Sequence, residues 1–305
     1  VMALQATRKR NTVLYSQTLH PNTKQVLHSH VRGTGVVLRE VPAAGYVFSA
    51  DSLRKELDDD TACFIAQSPN IFGYLEDFSD CEDLLHDNGS LFIISANPLS
   101  LAVMRSQGEW GADIGIGDTQ VFGLPSFFGG PSCGYIAAKE KLMRKMPGRI
   151  VGQSVDTAAR RAFLLTLQAR EQHIKRGRAT SNICSNQALA ALASTVHLAL
   201  LGEAGLEETA RRNMANAQYL HAGLLTIPGV RPTSEKPFFN EFSLRLPVPA
   251  EDFAMKMREN GILAGVPISS LADGWEKNIL ITAVTEKRTK EELDGYISAA
   301  AEVLS

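Results

Sequence analysis

Four successive apolar residues, Leu91-Phe92-Ile93-Ile94, do most to limit what this chain can fold into. A strand alternates its side chains between two faces, so a run that is apolar at every position needs cover on both. Helices on either side of a parallel sheet give that cover. Thr12–Tyr15, Gly35–Leu38, Ala62–Ala66, Asp113–Ile116 and Tyr135–Ala138 read as further buried strands, with helical stretches between them. Ser79 and Glu82 have capping-box spacing ahead of Leu84 and Leu85, and Asn88-Gly89 supplies a stop. This alternation predicts an α/β fold built on a parallel, doubly wound sheet with helices on both faces.

From about Cys184 the pattern turns helical. Leu189, Leu192, Val196 and Leu200 share one face, and Leu206, Ala210, Met214, Ala217, Leu220 and Leu224 mark a long helix ended by Pro228-Gly229. Glu207–Arg211 and Glu208–Arg212 stand at i,i+4 with Glu first, the favourable order. The remainder reads as a smaller α/β unit: a strand at Asn240–Leu246, a helix at Phe253–Asn260 closed by Gly261, and a strand at Ile279–Val284. A last helix opens on Thr289 and Glu292 in capping-box spacing and buries Leu293, Ile297, Ala300 and Leu304. The expected division is a large domain over 1–200 and a small C-terminal domain over 201–305. The opening residues, Val1 to Arg10, read as the back half of a helix, so an N-terminal part is expected to be missing.

With 305 residues the chain can bury a full core, and a net charge of −2 gives no positive field to draw nucleic acid or anionic lipid. Cys63, Cys81, Cys133 and Cys184 lie far apart, which reads as reduced thiols of an intracellular protein rather than a disulfide framework or zinc site. The apolar stretch from Ala188 to Leu201 is interrupted by Ser194, Thr195 and His197 and falls short of the roughly 18–20 residues that span a bilayer. No membrane or nucleic-acid partner is expected, and the expected location is cytoplasmic.

Several motifs fail on inspection. Gly33-Thr34-Gly35 and Gly115-Ile116-Gly117 lack the third glycine of a dinucleotide turn, with Leu38 and Gln120 in its place. Gly152-Gln153-Ser154-Val155-Asp156 ends in aspartate where a nucleophile elbow needs glycine. His28 and His30, two apart, point in different directions on a helix. Two segments carry more. Gly129-Gly130-Pro131 is either a tight turn or a nest of amides able to hold an anion. The basic run Ala169–Ala179 leads into Thr180-Ser181-Asn182, which suits either an N-cap or an anion site at a helix start.

The segments Ala112-Asp113-Ile114, Gly117–Gly123, Phe128-Gly129-Gly130-Pro131, Met146–Gly152, Leu165–Ile174, Thr180–Leu189, Pro237–Phe242 and Val284–Glu292 together carry a resemblance spanning almost the whole chain in order. It resembles the alpha (subunit 1) branch of glycine dehydrogenase (decarboxylating), the P-proteins of the glycine cleavage system. Members of that family carry an additional N-terminal region. The resemblance implies a fold-type-I pyridoxal-phosphate-transferase-like large domain and a smaller C-terminal α/β domain.

In two-subunit versions the beta subunit resembles a paralogue and holds the lysine that forms the Schiff base. Its pattern, laid on this chain, puts Thr119 at the histidine and Gln120 at the lysine, while Phe122, Pro125, Gly129, Gly130 and Pro131 match. Asn97, in Ser95-Ala96-Asn97-Pro98, falls near the aspartate that pairs the pyridinium nitrogen. A carboxamide is not a nucleophilic amine, and Asn97 brings no negative charge. The resemblance therefore implies a subunit with no catalytic residue of its own, in a heterotetramer whose beta partner holds pyridoxal phosphate covalently. Glycine is decarboxylated there and the aminomethyl group passes to the lipoyl arm of H-protein. Gly129, Gly130, Thr180, Ser181 and Asn182 are the candidates for reaching across the interface to the cofactor. Two other readings compete: a self-sufficient transferase using another lysine, such as Lys139, and a noncatalytic scaffold or regulatory protein retaining the fold.

Overall fold

A computed structural model describes residues 1–7, 10–126, 128–183 and 185–305. Arg8 and Lys9 of the expected opening helix, Phe127 of the glycine-rich segment and the thiol of Cys184 lie outside the described residues. The chain runs through α1 (Met2–Ala6), β1 (Thr12–Ser16), α2 (Pro21–Val31), β2 (Val37–Val41), α3 (Ala50–Glu56), β3 (Thr61–Gln67), α4 (Cys81–Asn88), β4 (Leu91–Ser95), β5 (Ile114–Asp118) and β6 (Gly134–Ala138). These strands form one sheet in the order β2-β1-β3-β4-β5-β6. The first five are parallel, with β1 between β2 and β3 and β4 between β3 and β5.

Alternation along the strands divides the core. Val13, Tyr15, Cys63, Ile65, Leu91, Ile93 and Ile114 pack on one face with residues of α1. Leu14, Phe64, Ala66, Phe92 and Ile94 pack on the other against Leu53 of α3 and Cys81 and Leu85 of α4. Phe64 and Phe92, neighbours on β3 and β4, stack at 6.2 Å. Each such buried side chain contributes about 1.5–3 kcal/mol of transfer free energy, so the Leu91–Ile94 run holds the two layers together.

The edge strand differs from expectation. Tyr135–Ala138 does join the sheet, but β6 runs antiparallel to β5. The described residues of the 119–133 connection form no crossover helix, the usual route to a parallel strand. The strand expected at Gly35–Leu38 begins later, at Val37, because Gly33 and Gly35 both take φ of 76° in the turn before it. The Ser79–Glu82 capping box is absent: Asp80 is the N-cap of α4, and Ser79 donates instead to Asp77 Oδ1 at 2.6 Å. Gly89 ends α4 in the left-handed region, as expected.

Beyond the sheet, β7 (Ile150–Val155) and β8 (Arg161–Thr166) form a separate antiparallel hairpin, followed by the short α5 (Gln172–Lys175). Nothing in the sequence reading anticipated the hairpin. Its Val151, Val155, Phe163 and Leu164 are exposed, so it lacks the buried face that makes alternation recognisable. The helix α6 (Ala188–Leu224) breaks at Gly202, whose φ is 62°. After the break Ala217, Leu220 and Leu224 join a core with a second, antiparallel sheet. That sheet holds β9 (Arg231–Pro232), β10 (Glu241–Arg245), β11 (Val266–Pro267) and β12 (Ile279–Ala283) in the order β11-β12-β10-β9. Helices α7 (Ala250–Glu259) and α8 (Lys290–Leu304) contribute Phe253, Met257, Leu293 and Ala300 to the same core. Thr289 and Glu292 form the expected capping box.

Before Gly202 the helix behaves otherwise. Leu189, Leu192, Val196 and Leu200 share a face that is open to solvent, Leu189 and Leu200 at 81% and 82% exposure. Helical spacing shows that these side chains share a face, but it carries no information about what covers that face.

Candidate functional site

Parallel strands in an open α/β sheet place their carboxyl ends along one edge, where connecting loops leave room for a ligand. Here His20 follows β1, Gln67 ends β3 and Pro69 follows it, Asn97 and Pro98 follow β4, and Asp118 ends β5 with Gln120 just beyond. Asn240 and Glu241, at the start of β10, close the other side. Together they line a cavity of about 370 Å³. A second cleft of about 580 Å³ adjoins it, sharing Asn97, Gln120, Val121 and Asn240 and reaching His197 on α6 and Lys287.

The β5 turn is tightly built. A Cβ on Gly117 would lie 2.3 Å from Ala96 O and 2.3 Å from the Tyr135 ring, so only glycine lets β5 pass there. Asp118 Oδ1 accepts from Gln120 N at 2.7 Å and from the Ser132 hydroxyl. Thr119 N and Oγ1 both donate to Cys133 O, at 2.7 and 2.8 Å. Gln107 Nε2 bridges the ends of β4 and β5 by donating to Ile94 O and Ile116 O. Asn97 turns its Oδ1 back onto Leu99 N at 3.1 Å, stabilising its own loop. Gln120 is exposed at the mouth.

His20 Nδ1 accepts from Asn22 N at 3.1 Å, capping α2, and burial lowers its pKa. Burial raises the pKa of Glu241. Neither residue was picked out from the sequence, although His20 lies just beyond a strand end, the place where the rule for parallel sheets would look.

These residues fit pyridoxal phosphate poorly. Gln120 offers no amine for a Schiff base. The cavity's described lining contains the carboxyls of Asp118 and Glu241 and no lysine or arginine to meet a phosphate. Lys139, the alternative anchor, is excluded by position. It follows β6 at the amino-end edge of the parallel strands, where Nζ donates to Gly111 O at 3.0 Å and lies 3.6 Å from Glu82 Oε1.

The interface candidates fall in two places. Gly129 and Gly130 lie in the loop between β5 and β6, and both amides donate to Ser126 O, at 2.7 and 3.0 Å. The suggested nest therefore spends its donors within the loop. Thr180 and Ser181 line a different cavity, with Arg149 and Arg170. Asn182 is exposed beside them. The N-capping role expected of Thr180-Ser181-Asn182 does not occur: α6 starts at Ala188, after Gln187. Thr180 Oγ1 instead donates to Gln5 Oε1 at 2.9 Å, tying this segment to α1.

Known proteins share this fold. The sequence profile of the glycine cleavage system P-protein matches residues 1–299. The chain belongs to that family. It is 46% identical over 302 residues to a probable glycine dehydrogenase (decarboxylating) subunit 1 from Geobacillus thermodenitrificans (strain NG80-2), covering 98% of this chain and 66% of the relative. The same subunit from Listeria welshimeri is 44% identical, with 95% of this chain and 64% of the relative covered. The chain thus spans slightly under two thirds of the length of these relatives. A crystal structure of glycine decarboxylase (P-protein) of the glycine cleavage system, in inhibitor-bound form, superposes with a TM-score of 0.92 at 40% identity over 99% of this chain and 68% of that one. A NifS-like protein shares the fold alone, at a TM-score of 0.69 and 14% identity. The expected pyridoxal-phosphate-transferase-like α/β fold is therefore the one adopted.

Proposed function

We propose that this P-protein chain is the subunit of a two-subunit glycine dehydrogenase (decarboxylating) that lacks the Schiff-base lysine. The observation that carries the reading is Gln120 at the end of β5, beside a cavity lined by Asp118 and Glu241 without a described lysine or arginine. With no amine at Gln120 to anchor it and no described cation to meet its phosphate, this pocket gives such an aldehyde no hold. The cofactor is then held by a lysine-bearing beta partner, glycine is decarboxylated there, and the aminomethyl group leaves on the lipoyl arm of H-protein. This chain completes the interface.

The uncovered apolar residues support a docked partner. Leu189, Leu192 and Leu200 share one face of α6 and are all more than half exposed, and an uncovered apolar face of this kind marks an association site. Within that assembly Gly129, Gly130, Thr180, Ser181 and Asn182 remain our proposed contacts to the partner's site. A division into domains over 1–200 and 201–305 is also part of the proposal, as is a cytoplasmic setting, which the buried free thiols of Cys63 and Cys81 favour.

Borohydride reduction in the presence of pyridoxal phosphate tests this reading, on the chain alone and then mixed with a lysine-bearing beta subunit. The expected result is label on the partner only, with glycine decarboxylation on mixing. Stoichiometric label on this chain overturns it, and Lys287 in the adjoining cleft is the first position to examine.

A further inference from the structure

The net charge of −2 conceals a strong asymmetry. Residues 139–178 hold 11 of the chain's 31 Lys and Arg and only 3 of its 33 Asp and Glu, so this stretch carries +8 and the remainder −10. Part of that charge is spent locally: Lys139 and Lys141 approach Asp113, and Arg160 pairs with Asp156. Arg144, Arg149, Arg176 and Arg178 are different. All four are exposed. The ion pairs and side-chain hydrogen bonds among the described residues involve none of them. The fold gathers these arginines on one region. Arg149 lines a cavity of about 310 Å³ together with Gln172 and His173 of α5, and Arg176 and Arg178 follow within five residues of His173. Arg170 Nη1 donates to Met146 O, which fastens the stretch carrying Arg144 and Arg149 against this segment. Ile174 and Ile183 stand in the same region at 53% and 76% exposure.

A duplex or a bilayer is extended and also meets the rest of the molecule, whose −10 repels it. The helix α5 has only 4 residues, too few to lie in a bilayer interface on an apolar face. A folded protein meets the arginines alone, and arginine, enriched at protein interfaces, grips a carboxylate with two N–H groups at once. We infer that this surface docks the acidic face of a partner protein. Charge steers such a partner in quickly and holds it without the large apolar area of an obligate interface, which suits one that comes and goes. The open leucine face of α6 has the opposite character. Arg178 lies two residues before Thr180, so a protein docked here sits beside the contacts proposed to reach the beta partner's site. The inference rests on the subunit reading for its choice of probe, the H-protein, which in that reading must leave with the aminomethyl group.

Surface plasmon resonance on immobilised H-protein tests it, with the full chain alone and mixed with the beta subunit. Affinity is expected to fall about tenfold between roughly 50 and 200 mM salt, chiefly through slower association. Arg149→Glu with Arg178→Glu should weaken binding about tenfold or more. Lys256→Glu with Arg258→Glu changes net charge equally on the exposed side of α7 and should leave affinity within about twofold. If thermal unfolding shows the first pair misfolded, Arg144→Glu with Arg176→Glu replaces it. No H-protein binding, affinity indifferent to salt or to the reversal, an equal loss from the α7 pair, or tighter binding of a duplex DNA or a phosphatidylserine vesicle each overturns the assignment. Glycine decarboxylation on mixing the wild-type chain with the beta subunit, run in parallel, reports on the subunit reading separately.

Discussion

His86 Nε2 and Asp113 Oδ2 meet at 2.8 Å and join the end of α4 to the start of β5. Asp113 has no exposed side chain, and the same oxygen accepts from Phe92 N at 3.0 Å. Lys141 Nζ lies 2.9 Å from the other oxygen. This carboxylate therefore fixes the register of two central strands against a covering helix. Asp113→Ala leaves the buried Phe92 amide without an acceptor and should cost about 2 kcal/mol, measurable by urea denaturation. An unchanged midpoint would show that the carboxylate is not structural.

The same group sets a pH dependence. Desolvation works to raise the Asp113 pKa, but Lys141, the Phe92 amide and His86 outweigh it and hold the value below the ordinary 3.8. A carboxyl whose folded pKa is depressed stabilises the fold above its unfolded pKa, and that stability is lost as pH falls through the folded value. Wild-type stability should thus fall as pH drops below about 3.8, and in Asp113→Asn that part of the acid loss should disappear. Unfolding midpoints across pH 2–6 decide the matter (a range on the order of the carboxylate titration).

Gly117→Ala tests the packing of the β5 turn. The added Cβ meets a backbone oxygen, Ala96 O, at 2.3 Å, and a backbone atom cannot swing aside as a side-chain tip can. The expected cost is about 1–3 kcal/mol, read as a lowered thermal midpoint. A midpoint equal to wild type would mean the strands have slack that the structure does not show.

Placing an amine at the strand end should not create a cofactor site. In Gln120→Lys the lining still lacks a cation for the phosphate and still carries Asp118 and Glu241. Asn97 still offers no charge to a pyridine nitrogen. Absorbance and borohydride labelling at residue 120 should stay at the level of an exposed lysine. Stoichiometric, saturable labelling there would refute the charge argument.

The exposed face of α6 gives a prediction about association. Leu192→Glu and Leu200→Glu alter side chains that are 59% and 82% exposed. Each should shift the chain's own stability by no more than about 0.5 kcal/mol. Binding to the beta partner should weaken at least about tenfold, since a buried unpaired carboxylate is costly at an interface. Partner affinity equal to wild type in both would place the interface elsewhere.

The parts of this fold legible in the sequence are those whose cause is local or is cover on two sides. Leu91–Ile94 is apolar at every position because helices bury both faces of β4, and that pattern is visible without coordinates. Gly89 and the Thr289–Glu292 box end and start helices through bonds within a turn or two of the chain. Ser79 and Glu82 had the same spacing, yet a nearer acceptor, Asp77, takes the Ser79 hydroxyl. Gln120 was equally legible as a carboxamide where the resemblance implies a lysine, because it is one position in a recognisable segment. Tertiary structure alone decided the rest. It set the reversed direction of β6, left the apolar stripe of α6 facing solvent, and brought Asn240 and Glu241 to the sheet edge. It also brought Arg170 and Glu171 to the cavity beside Thr180 and Ser181. The physical reason is common to all of these: strand direction, cover and cavity depend on which distant segments pack together, whereas periodicity records only which side chains share a face.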